Sequence, residues 1–154
     1  MGHFNLYSQI DIIFPKDIIK LESLNTYSFM KIGFLKKRAE EFFEVAKDLI
    51  KKEMYPLAAF NLDQAAQLYL KYYLFLEIRR YPKTHSLKKL LTALGEVYKK
   101  KNKVEKMKEE NINLISDLEQ AYITSRYLPA EFTKKQVENM EKWVEELINF
   151  LNKL

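Results

Sequence analysis

Apolar residues recur every three or four positions along most of this chain, the spacing that lays one face of an α-helix against a core. From Phe34 the pattern is clear: Leu35, Ala39, Phe42, Ala46, Leu49 and Ile50 share a stripe, with Lys and Glu opposite. Met54-Tyr55-Pro56 ends that helix, and Pro56 suits the first turn of the next. A second helix is expected from about Pro56 to Ile78, with Ala59, Leu62, Ala66, Tyr69 and Tyr73 on one face and Leu68, Tyr72 and Phe75 wrapping round it. Such coverage predicts a central helix packed on several sides. A third begins near Ser86, with Leu87, Leu90, Leu91, Leu94 and Val97 inward. A fourth covers roughly Asn111 to Arg126, with Leu114, Ile115, Leu118, Tyr122 and Ile123 inward. Thr133-Lys134-Lys135-Gln136 has the form of a capping box and opens a last helix, striped by Val137, Met140, Val144, Leu147, Ile148 and Leu151.

Two stretches break the rhythm. Residues 1–30 read as an N-terminal arm: an apolar run at Ile10, Ile12, Ile13 and Phe14, a short helix opened by Pro15, and a polar break at Asn25-Thr26-Tyr27-Ser28. The lysine-rich segment 99–108 reads as a solvated helix end and loop. The expectation is one all-α domain over 31–154, an antiparallel up-and-down bundle of about five helices with no strands.

Composition agrees. Three glycines and four prolines in 154 residues favour long uninterrupted elements, and 47% hydrophobic with 31% charged residues describes a globular chain. With no cysteine and two histidines, disulfides, thiol catalysis and Cys-based zinc sites are excluded, so neither metal nor cofactor is expected. No apolar run approaches a membrane span and no signal peptide is visible, which makes a cytoplasmic location the expectation. The net charge of +5 is compatible with an anionic partner without demanding one. Abundant Lys, Glu, Ile and Tyr with few Gln lean toward a thermophile's composition.

Candidate chemistry lies where polar groups interrupt apolar stripes. Phe60, Gln64, Gln67 and Lys71 fall on one face of the second helix, where an amide and an ammonium can bind a phosphate or base edge, or merely satisfy backbone groups. Arg79, Arg80, Lys83, Lys88 and Lys89 surround the start of the third helix with no acidic residue among them. Lysines there oppose the helix dipole, whereas a bound anion would be favoured by the free N–H groups, with His85 able to donate to it. The plainer alternative is a solvated loop with Thr84 or His85 as the cap. Arg126 ends the fourth helix, where it either offsets the C-terminal dipole or, beside Tyr127, offers a planar guanidinium for bidentate phosphate contact or stacking.

Three pieces in order carry a family likeness: Ala58–Lys71 with its Gln64-Ala65 pair and Lys71, then Thr84-His85-Ser86-Leu87, then Arg126-Tyr127. Over residues 34–154 the chain resembles a prokaryotic HEPN domain. The resemblance implies a helical, commonly dimeric module, often encoded beside a minimal nucleotidyltransferase and linked to nucleotides, RNA cleavage and toxin–antitoxin pairs. It also implies ligand-facing roles for Gln64, Lys71, His85, Arg126 and Tyr127. Gln67 stands where the family commonly has an acidic residue. RNases of this superfamily carry an Arg-x4-6-His motif in the late helix, but no histidine follows Arg126 here. Arg80 and His85 match the spacing in a proline-containing loop instead.

The leading expectation is therefore a nucleotide- or RNA-binding subunit, a homodimer partnering a nucleotidyltransferase. The alternatives are a metal-independent endoribonuclease toxin using His85 with Arg80 or Arg126, and a purely structural homodimeric bundle.

Overall fold

The computed structural model describes residues 21–129 and 131–154, with side chains from Ile32 onward. Among these residues there are six helices and no strands: α1 (Leu21–Lys51), α2 (Tyr55–Ile78), α3 (Leu87–Val97), α4 (Lys101–Glu110), α5 (Ile112–Tyr127) and α6 (Lys134–Leu151). The all-helical expectation holds, with one helix more than counted from the sequence. The expected apolar run and Pro15 helix of the arm lie outside the described residues.

The polar break expected at Asn25–Ser28 is absent, since α1 runs through it. None of those four residues is Gly or Pro, so each costs only a few tenths of a kcal/mol, roughly, in a helix that is already propagating. The segment 99–108 is also corrected. It folds as α4 because Val104 is fully buried against Gly95, where a β-carbon on the glycine would stand 3.2 Å from that of Val104. Its lysines are partly engaged: Lys108 Nζ donates to Thr92 Oγ1 and Glu105 Oε1, both at 2.8 Å.

α2 is the central helix, packed against α1, α3, α5 and α6. Its interior positions are Ala58, Ala59, Leu62, Ala65, Ala66, Leu70 and Leu74, small near the start and large near the end. The buried alanines leave room for neighbouring helices to approach closely. α2 stops at Arg79, whose left-handed backbone (φ 59°) returns its N–H to Phe75 O. Tyr98 and Tyr73 tie the far end together: Tyr98 Oη donates to Tyr73 O, and Tyr73 Oη to Asn152 Oδ1.

The other helix ends follow local chemistry. Thr133 and Gln136 form the reciprocal capping box expected of α6. The α3 cap is Ser86, not Thr84 or His85; its Oγ accepts from Lys89 N, while Thr84 Oγ1 accepts from Ser86 N. On α5, Ile115, Leu118 and Ala121 face the core and Ile123 lies 55% exposed, contrary to its expected inward position. The inward stripe drifts along the helix from Leu118 to Ala121 and on to Ser125, leaving Ile123 outside. Trp143, buried on α6, completes the core between Met140 and Leu147.

Candidate functional site

Two polar side chains lie buried in the described part of the molecule, Asp63 at 0% and Gln67 at 2% exposure, and both belong to α2. One helical turn apart, they share a face. Gln67 Nε2 donates to Asp63 Oδ2 at 2.6 Å, and Gln64 Nε2 donates to the same oxygen at 3.2 Å. The other carboxyl oxygen, Oδ1, is buried with no hydrogen-bond partner. Burial pushes the Asp63 carboxyl up to about 7, against the two amide donors; nearby Glu119 adds to the rise and Lys71 opposes it.

The buried pair reaches the surface through His85. Its Nδ1 lies 3.2 Å from Gln67 Oε1, in the short segment before α3. The imidazole lies flat on Tyr122 of α5, ring centroids 4.6 Å apart and planes 19° from parallel. Phe60 of α2 stacks at 6.2 Å from the same tyrosine. Arg126, one turn further along α5, donates from Nε to Tyr122 O at 2.7 Å. Its guanidinium carbon is 4.2 Å from the Tyr122 ring centre, 4.9 Å from Tyr127 and 5.4 Å from Phe60.

The electrostatics join these groups to Lys71. Burial holds the His85 imidazole below its ordinary value, and the charges of Lys71 and Arg126 press in the same direction. Burial also lowers Lys71, with Asp63 as the counterweight, and its ammonium stands 5.7 Å from the Tyr81 ring. Neutral His85 at neutral pH is the consequence. His85 and Arg126 thus meet on the Tyr122 ring, Lys71 beside Tyr81 is near enough for its charge to act on His85, and Tyr127 is 71% exposed next to Arg126.

The basic loop is arranged differently. The start of α3 is already occupied by a carboxylate: Glu119 Oε1 accepts from Lys88 N (3.0 Å) and from Ser86 Oγ (2.9 Å). Lys88 Nζ donates to Ser116 Oγ at 2.7 Å and sits 3.7 Å from Glu119. The negative end sought by the helix dipole therefore comes from α5. Lys83 and Lys89 are exposed, Arg79 caps α2, and Arg80 is half-buried in the connection. No group of His, Asp and Glu able to hold a metal exists among the described residues, and none of their helices is long and apolar enough to cross a membrane.

Asp63 and Glu119 were not singled out from the sequence. The available signal for Asp63 is an acid between Leu62 and Ala65-Ala66 with glutamines one and four residues on. For Glu119 there was none, because its partners are distant in the chain.

These features define an all-helical bundle whose central helix carries a buried acid–amide pair leading to an aromatic and cationic corner. Residues 32–154 match the family model described as HEPN domain, and the chain belongs to that family. No curated protein and no solved structure matches it.

Proposed function

We propose that this HEPN-domain protein binds a nucleotide or single-stranded RNA at the corner formed by Lys71, His85, Tyr122, Arg126 and Tyr127. The observation carrying this reading is the meeting of His85 and Arg126 on the Tyr122 ring, with the Lys71 charge acting on the same imidazole. Exposed Tyr127 presents a face on which a base can stack, and the adjacent guanidinium suits bidentate phosphate contact. Gln64 supplies an amide near the same stripe. As the family likeness implies, the protein acts as a homodimeric subunit beside a minimal nucleotidyltransferase in a toxin–antitoxin-like system. The exposed apolar side chains of Ile123, Tyr127 and Leu128 are compatible with a partner surface there.

Fluorescence anisotropy with a labelled single-stranded RNA and with the matching DNA, at two salt concentrations, tests the reading. Arg126→Ala and His85→Ala should each weaken binding about tenfold, the size of one lost charged or stacking contact. Lys103→Ala should change little, since that ammonium stands over Phe150 of α6 and not among these groups. Equal binding by all four proteins, or no binding at all, rejects the site.

A second reading, metal-independent RNA cleavage, is favoured by one feature: a neutral histidine backed by a hydrogen-bonded amide and acid, with an arginine nearby. Cleavage of RNA in EDTA, lost in His85→Ala, would support it.

A further inference from the structure

Gln67 is hydrogen-bonded at both ends of its amide, and the two bonds are not interchangeable. At its inner end, Nε2 lies 2.6 Å from Asp63 Oδ2. An ionised carboxylate only accepts, so it must meet the NH2 end of the amide; the reversed amide would press oxygen on oxygen. That leaves Oε1 as the outer end, 3.2 Å from His85 Nδ1. A carbonyl oxygen also only accepts, so Nδ1 must carry the imidazole proton. Nε2 then holds the ring's lone pair, and no described residue occupies it.

We propose that Gln67 and, when its carboxyl is ionised, Asp63 are positioning residues that lock His85 in the Nδ1–H form, so that the protein presents an unprotonated Nε2 at the proposed binding corner. The proposal rests on the reading of that corner as a ligand site, but the proton's location can be measured with no ligand present. It assigns a division of labour within the site. A histidine locked in this form accepts a hydrogen at Nε2 from a hydroxyl or amino group and donates none to a phosphate, which is left to Arg126 and Lys71.

The groups facing the relay act together with it. Lys71 from α2 and Arg126 from α5 both disfavour a charged His85, keeping the ring neutral and its lone pair available. Asp63 faces Gln64, Gln67 and Lys71 on its own helix and Glu119 from α5. Tyr122, flat against the imidazole, restricts tilting away from Gln67. The positioning pair touches the interior, and only His85 meets a ligand.

The test uses the full chain, labelled with 15N-histidine, in long-range proton–nitrogen spectra at about pH 8.5, where Asp63 is ionised. The chain has two histidines, His3 and His85, so His3→Gln assigns the signals. Nδ1 of His85 should resonate as a protonated, pyrrole-like nitrogen and Nε2 as a pyridine-like one, the reverse of the usual preference of free histidine. Asp63→Asn, which preserves shape but can present either end of its amide, should shift the populations toward Nε2–H. Gln67→Leu should do so fully, with dispersion elsewhere in the spectrum reporting that each variant is folded.

An Nε2–H or averaged His85 in the parent protein overturns the proposal. So does an unchanged Nδ1–H form in both folded variants. If Gln67→Leu fails to fold, Asp63→Asn decides alone. Loss of RNA or nucleotide binding with the expected tautomer intact would reject the proposed function and leave this inference standing.

Discussion

Tyr122 holds His85 and Arg126 on one aromatic ring, the imidazole at 4.6 Å and the guanidinium at 4.2 Å from its centre. Neither the neutral imidazole nor the guanidinium depends on the tyrosine hydroxyl, so the ring itself should suffice. Tyr122→Phe is expected to keep RNA affinity within about twofold, while Tyr122→Ala should lower it roughly tenfold, the equivalent of ~1.4 kcal/mol. Anisotropy titrations of the two variants check this.

Asp63 makes stability depend on pH with a definite sign. Its carboxyl rises from 3.8 to about 7 on folding, so the folded chain holds the proton more tightly. The stabilisation is complete below the unfolded value and is lost as pH rises through about 7. Asp63→Asn, neutral at every pH, should therefore be more stable than the parent near pH 8.5, by about 2–4 kcal/mol. The gap should close toward about pH 4. Urea unfolding at both pH values measures it; a parent protein that gains stability as pH rises relative to the variant would contradict the assignment.

Glu119 supplies the negative group at the start of α3, accepting from Lys88 N and Ser86 Oγ. Glu119→Ala should cost about 1–2 kcal/mol, the scale of a lost cap and charged hydrogen bond. It should also open that helix end to anions. Inorganic phosphate is then expected to raise the melting temperature of the variant more than that of the parent, as thermal melts with and without phosphate would reveal.

Gly95, within α3, is the point at which α4 packs against it. A β-carbon there would meet Val104 Cβ at 3.2 Å and Lys101 Cα at 3.3 Å, the latter a backbone atom that cannot step aside. Alanine ordinarily gains about 1 kcal/mol over glycine within a helix. At this contact Gly95→Ala should instead lose about 1 kcal/mol through overpacking, measurable by urea unfolding.

Much of the bundle was legible from spacing alone. Apolar stripes at three- and four-residue steps marked α2, α3 and α6 closely, and the Thr133 capping box stood in the sequence because both partners are local. The start of α1 was not legible: helix continuation through Asn25–Ser28 costs so little per residue that no residue type there decides it. α4 hid in a lysine-rich segment because one buried contact, Val104 on Gly95, outweighs the polar character of its neighbours.

The candidate site divides along the same line. Gln64, Lys71, His85 and Arg126 stand out in one dimension as polar groups within or beside apolar stripes, whereas ligand-facing roles for them and for Tyr127 are implied only by the resemblance to the HEPN family. The helical class and these polar interruptions are readable in one dimension, because periodicity and capping are short-range. Which of them meet depends on how the helices pack. α5 packs against both α2 and α3, which carries Tyr122 and Arg126 to His85 and lets Glu119 fill the end of α3 otherwise left to an outside anion. Burial then turned Asp63, unexceptional in the sequence, into a proton-holding group behind the site, because desolvation depends on what packs around a side chain and not on its neighbours in the chain.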